Sequence, residues 1–189
     1  MTDDLTDSLA AALAGARHSR DLSVSALADR SGVSRAMIAK IERGEVQPTA
    51  ALLGRISGAL GITLSELIAR AESTGAGGRV ARFGDQAVWT DPETGYHRRS
   101  VSPGAGGPIE LVEVELPAGV RVDYPADSYS FTHHQIWVLD GELTFVEGAE
   151  THHLAAGDCL QLGTPVACAY VNESAGPCRY LVALARRGA

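Results

Sequence analysis

The chain has 189 residues, 45% of them hydrophobic, which is enough apolar material for one or two domains with cores of their own. Its net charge of -7 argues against a protein whose whole surface binds nucleic acid, and its apolar runs fall short of the ~20 residues that a membrane span needs. The chain starts with acidic rather than basic residues and has three cysteines without a C-x-x-C pair, so we expect a cytoplasmic protein with no secretory leader, disulfide framework or zinc ribbon.

Residues 22–49 have the spacing of two short helices joined by a tight turn. Ser23 is placed to cap the first helix and Ser34 the second, because a serine hydroxyl accepts a hydrogen bond from an amide in the first helical turn. Gly32 precedes the second cap, where the chain must turn, and we predict that the second helix runs to Gly44. The pattern is typical of a helix-turn-helix that binds DNA.

The second helix has an apolar side and a polar side. Ile38 and Ile41 recur at helical spacing and are predicted to point inward, as are Leu27 and Ala28 on the first helix. The opposite side, which a groove of DNA would face, carries Arg35, Ala36 and Lys40.

Four sequence features of this region together resemble the helix-turn-helix domain of the XRE (phage Cro/C1-type) repressor family. They are the SGVS turn, the IERG segment ending at Gly44, the Pro48-Thr49 start of a fourth helix, and LGITLSEL leading from Leu60 into a fifth. The resemblance implies a five-helix domain over about residues 8–71. It also implies a structural ion pair between an arginine of the first helix and the glutamate of the IERG segment, here Arg17 and Glu42.

The chemistry of the residues on and around the second helix suggests how each would contact DNA. Arg35 is the candidate for bidentate reading of guanine, Lys40 for a base or a phosphate, and Ala36 for a thymine methyl. Phosphate contacts that fix the register on DNA are expected from Ser23, Ser34, Arg43 and the backbone near Gln47.

A run of small residues, Ser73 to Gly78, marks a domain boundary. We therefore predict a DNA-binding domain at 1–72, a Gly-rich linker at 73–79 and a second domain at 80–189.

The charge is unevenly divided between the two parts of the chain. Residues 1–72 hold eight basic and nine acidic residues, whereas residues 73–189 hold eight basic and fourteen acidic ones. Residues 13–45 are weakly basic, with six basic and four acidic residues, so we expect binding to rely on dimerisation for affinity.

Beyond the linker the hydrophobic period changes from helical to alternating, in short segments separated by Gly, Pro and Asp. Such spacing suits a double-sheet jelly roll. The candidate strands are Ala87–Thr90, Tyr96–Val101, Ile109–Leu116, Gln135–Leu139, Glu142–Val146, Thr151–Leu154, Cys159–Leu162, Ala167–Val171 and Tyr180–Leu184.

Two glycine turns in this region, VLDGEL at Val138–Leu143 and HLAAGD at His153–Asp158, lie where hairpins must reverse. With the strand pattern they resemble the cupin barrel over about residues 79–186. An XRE domain fused to a C-terminal cupin is a family of bacterial regulators that the chain resembles over nearly its whole length. The expected fold is multi-domain: an all-α five-helix helix-turn-helix domain followed by an all-β cupin (double-stranded jelly-roll) barrel.

The positions that bind metal in cupins carry other residues in this chain. Counted from Gly141, the glutamate position holds His134, and the two histidine positions hold Asp127 and Tyr129, or Ser128 and Ser130. The histidine position of the second motif, counted from Asn172, holds Cys168.

Two interpretations of the barrel follow. His134 and Cys168, with Asp127, could hold a divalent metal such as zinc, because imidazole, thiolate and carboxylate are all zinc ligands. The favoured interpretation is a barrel without metal, whose pocket binds a small organic effector. The candidate pocket residues are Asp127, Tyr129, His134, Cys168 and Tyr170.

Strand alternation leaves the orientation of the histidines open. His134, Ile136 and Val138 share one face of their strand, while His133 lies on the other face, and either face could be the interior. His152 and His153 repeat this ambiguity, and we expect a surface or hairpin role for at least one residue of each pair. A triad of Cys168, His134 and Asp127 is not required by the spacing, and no catalytic residue is assigned.

The sequence thus predicts a dimeric, sequence-specific repressor that binds an operator in double-stranded DNA and a small-molecule effector. The alternative from another class is a metal-dependent cupin enzyme with an accessory helix-turn-helix domain, and a third is a constitutive DNA-binding protein whose barrel only dimerises it.

Overall fold

A computed structural model describes residues 2–71, 78–103 and 107–187. Its N-terminal part consists of five helices, as predicted: α1 (Thr2–His18), α2 (Val24–Ser31), α3 (Arg35–Glu42), α4 (Ala50–Ala59) and α5 (Leu64–Ala71). Among the described residues no single helix is long and apolar enough to cross a membrane, and α4 with α5 meets that criterion of length and composition only as a pair bent by 99°.

The caps of the helix-turn-helix are the predicted serines. Ser23 Oγ accepts the Ala26 amide at 3.0 Å, and Ser34 Oγ accepts the Met37 amide at 3.2 Å. Gly32 ends α2 in the left-handed region with φ +64°, a conformation that favours glycine. These interactions between residues close in sequence define the turn between α2 and α3.

The helical core is built from the predicted inward positions. Leu27, Ile38 and Ile41 are buried, and Arg17 forms a two-point ion pair with Glu42. Arg17 Nε lies 2.7 Å from Glu42 Oε1, and Arg17 Nη2 lies 2.8 Å from Glu42 Oε2. The structural pair expected from the resemblance is confirmed.

The second part is all-β, with ten strands among the described residues. They are β1 (Val88–Thr90), β2 (His97–Ser100), β3 (Ile109–Leu116), β4 (Arg121–Tyr124), β5 (Thr132–Asp140), β6 (Glu142–Glu147), β7 (Glu150–Ala155), β8 (Cys159–Gln161), β9 (Cys168–Val171) and β10 (Cys178–Arg186). Nine of them overlap the predicted strands. The prediction missed β4, a short strand in which Val122 is the one fully buried residue between exposed Arg121 and Asp123.

The strands form two antiparallel sheets that enclose a common core. One sheet has the order β1-β2-β3-β10-β5-β8 and the other the order β4-β9-β6-β7. In the first sheet Val112 and Ile136 flank Val182 at the centre, and in the second Phe145 is paired with Tyr170. All five are buried, so the core lies between the sheets.

The helical part packs directly on the barrel through α4 and α5. The α4 backbone lies against the short 3₁₀ turn Ala126–Ser128, and Ser128 Oγ donates to Gly54 O at 3.0 Å. Further polar contacts across the junction join Ala50 to Asp91, Thr63 to Glu110, Ser65 to Arg98 and Glu66 to Arg186.

The predicted linker at 73–79 lies mostly outside the described residues, which resume at Gly78. The domain boundaries drawn from it stay a prediction. The contacts of α4 and α5 mean that the linker is not the sole connection between the helices and the barrel.

Candidate functional site

The proposed reading side of α3 is open to solvent. Arg35, Ala36 and Lys40 are exposed on the side opposite to buried Ile38 and Ile41. The helix has no acidic residue in its first turn, so the positive end of the helix dipole is not offset there. An exposed, cationic helix start of this kind can approach phosphates and base edges.

The four candidate phosphate contacts are exposed as well, but they are not equally free. Ser23 and Ser34 use their oxygens as caps, and their hydroxyls retain a proton to donate. Arg43 pairs with Glu45 through two hydrogen bonds, of 2.5 and 2.9 Å, which raise the pKa of Arg43 and lower the pKa of Glu45. A phosphate that binds Arg43 must displace or share this carboxylate.

A cavity of about 70 Å³ lies where the open end of the barrel meets α4 and α5. Four of the five predicted pocket residues line it: Tyr129, His134, Cys168 and Tyr170. The fifth, Asp127, does not. Its placement is a correction to the prediction, because Asp127 is exposed in the 3₁₀ turn that packs on α4 rather than inside the barrel.

Three titratable side chains of this cavity, those of His134, Cys168 and Tyr129, are uncharged at neutral pH. Burial, together with the positive charges of Arg187 and Arg98, lowers the pKa of His134 to about 3. Burial raises the pKa of the Cys168 thiol to about 11 and raises that of the Tyr129 phenol. Tyr129 also accepts the Val166 amide at 3.1 Å and donates to the Val166 carbonyl, so its hydroxyl is engaged by the barrel.

These residues do not fit the predicted metal site. Within the described ranges, no three His, Cys, Asp or Glu side chains are grouped so that they could hold a metal ion. His134 and Cys168 both line the cavity, but Asp127 is not there to supply a carboxylate. For the same reason the conceivable triad of Cys168, His134 and Asp127 does not assemble.

The structure resolves the ambiguity of the histidine pairs. His134 faces the interior with Ile136 and Val138, whereas His133 is exposed. On β7, His152 Nε2 lies 3.6 Å from Glu147 and 3.8 Å from Glu150, and His153 is exposed and bonded to Thr144. One histidine of the β5 pair therefore lines the cavity, and the β7 pair belongs to a hairpin.

Sequence reasoning missed several residues that line the cavity: Gly54, Ser57, Thr63, Ser65, Tyr96, Arg98 and Tyr124. One signal was available. Arg98 and Arg99 are neighbours on a strand, so alternation requires one of them to face inward. The sequence pattern gave no indication that residues of α4 and α5 would line the cavity.

Three comparisons with known proteins bear on this arrangement. Residues 13–67 match the family model HTH_3, described as helix-turn-helix. The chain is 26% identical over 170 residues to the HTH-type transcriptional regulator SutR of Escherichia coli, covering 90% of each chain. It is 23% identical over 170 residues to the HTH-type transcriptional regulator PuuR of the same organism, covering 88% of this chain and 89% of that one.

The fold of the whole chain also has a solved counterpart. An HTH_3 family transcriptional regulator from Vibrio cholerae superimposes with a TM-score of 0.77 at 21% identity, covering 98% of this chain and 99% of that one. This likeness confirms the predicted fold class, a five-helix domain followed by an antiparallel β-domain.

Proposed function

We propose that this chain, whose N-terminal part is an HTH_3 (XRE-type) helix-turn-helix domain, is a dimeric DNA-binding transcriptional regulator with an effector site in its barrel. The observation that carries the proposal is the exposed, cationic side of α3. The cavity at the junction, which is lined by residues of both the helical part and the barrel, supports the effector site.

The DNA-binding part of the proposal rests on α3. Its exposed side combines Arg35 and Lys40 with the small side chain of Ala36, and its buried side holds it rigidly against the core. An arginine forms two hydrogen bonds with the edge of guanine, which is the commonest specific contact in the major groove. The matched family and the curated relatives agree with this role.

Dimerisation is supported by the outer face of the six-stranded sheet. Trp137 is 48% exposed and Ile109 is 58% exposed on this face, and Leu181 is paired with Trp137 on the neighbouring strand. Apolar residues concentrated on an open sheet favour burial against a second copy of the same surface. Two copies would present two recognition helices to an inverted repeat. The second helix would add binding energy that the weak positive charge of one DNA-binding domain does not supply.

Coupling between effector and DNA follows from the same junction. Thr63 directly precedes α5 and Ser65 lies in its first turn, and both residues line the cavity. A ligand that contacts Thr63 and Ser65 therefore acts directly on the helical domain, and the effect need not be transmitted through the linker. In allosteric switches of this kind, effector binding typically changes the free energy of binding at the second site, here the DNA site, by about 1–3 kcal/mol.

The enzyme alternative has no support in the residues of the barrel. A metal-dependent reaction needs a set of donors, and those proposed for it from the sequence are not gathered in the described part of the chain. The His134 and Cys168 side chains are both uncharged at neutral pH, which suits binding better than nucleophilic chemistry.

The test of the proposed function is the selection of duplexes from a random pool by the full-length chain, followed by titration of the selected duplex. Arg35→Ala should weaken binding by about 1–3 kcal/mol and relax the preference at one base pair. Arg121→Ala removes the same charge from an exposed barrel position, where Arg121 lies 2.8 Å from Asp123, and should leave the affinity unchanged.

Two results would contradict the proposal. One is a selected pool without a common sequence. The other is an Arg35→Ala variant that binds the selected duplex with the affinity and sequence preference of the parent chain.

A further inference from the structure

The most unusual group in the junction cavity is a buried arginine. Arg98, on β2, is 6% exposed and lines the cavity. One of its terminal nitrogens donates to Ser65 Oγ, which ties the strand to α5. Its Nε is buried and has no hydrogen-bond partner among the described residues.

The charge of Arg98 is not neutralised by an ion pair. Across the described ranges, no carboxylate oxygen lies within 4.0 Å of its guanidinium nitrogens. Glu110 is a buried carboxylate that interacts electrostatically with Arg98, but the two do not form an ion pair, and Glu110 accepts from Thr63 Oγ1 at 2.7 Å. A buried guanidinium without a carboxylate in contact is costly, and an anionic ligand in contact with it would offset that cost.

The start of α5 adds to the attraction for an anion. Thr63 Oγ1 accepts the Glu66 amide at 2.9 Å, which marks the first turn of the helix, and Ser65 of that turn lines the cavity beside Arg98. The amides of a first helical turn carry the positive end of the helix dipole. Glu66, the acid of this turn, is already held by Arg70 at 2.6 Å and Arg186 at 2.5 Å.

The remainder of the wall sets the size and character of the ligand. Four aliphatic side chains, Val112, Val114, Val182 and Leu184, line the cavity together with tyrosines. A volume of about 70 Å³ has room for about five to seven water molecules, since one water needs about 10–15 Å³. The cavity therefore suits a ligand with a charged head and a short apolar tail.

We propose that this cavity binds a short-chain monocarboxylate, whose carboxylate pairs with Arg98 beside the start of α5 and whose alkyl tail contacts the aliphatic wall. The regulatory meaning of this site rests on the proposed function, but the binding itself does not. The ligand would span Arg98 of the barrel and Ser65 of the helical domain, and it would thereby alter the contact that joins them.

The test is calorimetric titration of the full-length chain, without DNA, with sodium propionate at constant ionic strength. Propionamide and propylamine serve as neutral and cationic probes of similar size. We expect saturable binding of propionate and no saturable binding of the other two. Arg98→Met should weaken propionate binding by at least about tenfold, because it removes the charge-assisted hydrogen bonds that hold the carboxylate.

Arg99→Met is the matched control. Arg99 is the next residue on β2, its side chain lies over the ring of Phe83 at 4.1 Å, and it does not line the cavity. This variant should bind propionate as the parent does. If Arg98→Met fails to fold, Arg98→Lys replaces it, because lysine keeps the buried charge but lacks the planar set of donors that pairs with a carboxylate, and this variant should bind propionate more weakly than the parent.

Equal binding of propionate and propionamide, or no saturable binding of propionate to the parent chain, would overturn the inference and leave Arg98 as a tie to Ser65 only. Selection of an operator by the chain in that case would leave the proposed function standing. Saturable propionate binding by a chain that selects no operator would support the inference and contradict the proposed function.

Discussion

At the scale of single residues, burial decides what an ion pair contributes. Arg17–Glu42 and Arg43–Glu45 have similar two-point geometry, but the side chains of the first pair are 9% and 11% exposed, against 56% and 47% in the second. Water screens the second pair, and two long side chains lose freedom to form it. The first pair joins α1 to α3 and is part of the core.

This contrast predicts different stabilities for two arginine variants. Arg17→Met leaves Glu42 buried without its partner and should lower the free energy of unfolding by about 3 kcal/mol. Arg43→Met should leave it unchanged. Urea titration of both variants at constant m-value measures the difference, and equal midpoints would show that the buried pair is not structural.

The depressed pKa of His134 predicts a pH dependence of stability. Folding lowers this pKa from its usual value near 6.5 to about 3, so between these pH values the unfolded chain binds a proton that the folded chain does not. The stability should therefore fall as the pH drops through this window, by about 1.4 kcal/mol per pH unit from this residue, and should not depend on His134 above pH 7.

His134→Gln removes that contribution, and the matched control is His133→Gln on the exposed face of the same strand. Urea midpoints measured from pH 7 to pH 4 should show a shallower decline for the first variant alone. Parallel declines for both variants would mean that His134 titrates normally.

At the scale of elements, α4 joins the two domains because it carries glycine where it meets the barrel. A Cβ at Gly58 would lie 2.8 Å from the Asp127 carbonyl oxygen and 2.9 Å from Ser128 Cα. A Cβ at Gly54 would lie 2.6 Å from the Tyr124 ring. Glycine weakens a helix, so its presence at both points is explained by the close approach of the barrel.

Gly58→Ala should thus destabilise the full-length chain by about 1–3 kcal/mol, because backbone atoms of the 3₁₀ turn must move. Gly15→Ala on α1 is the control, since nothing lies within 4 Å of its Cβ. It should stabilise the chain by about 0.5–1 kcal/mol through helix propensity alone. Thermal unfolding measures both, and a stabilised Gly58→Ala variant would show that α4 does not press on the barrel.

At the scale of the whole molecule, the junction and the outer sheet face are separate surfaces. The cavity lies at the junction of the domains, while the face around Trp137 is exposed on the outer side of the sheet. An assembly through the outer face would leave both cavities and both α3 helices accessible. This arrangement would let each copy bind effector and DNA at once.

Trp137→Lys should therefore convert a dimer into monomers, as measured by light scattering during size-exclusion chromatography, and should weaken binding to an inverted repeat. Val80→Lys introduces the same charge at a residue that is 65% exposed outside the sheet, and should leave the mass unchanged. A Trp137→Lys variant that remains dimeric would place the interface elsewhere.

The sequence by itself determined the features that depend on neighbours along the chain. The serine caps, the turn at Gly32, the alternation of β3 and the sides of α3 all follow from interactions within a few residues, and each was predicted correctly. The XRE resemblance added the long-range pair of Arg17 and Glu42, which spacing alone does not reveal.

Only the tertiary structure decided which groups meet in the cavity. Alternation is symmetric, so it could not tell whether His134 or His133 faces inward, and it could not exclude Asp127. The packing of α4 and α5 on the barrel brings Ser65 to Arg98, which are 33 positions apart in the chain. Such contacts depend on the relative placement of whole domains, and no local pattern of residues encodes that placement.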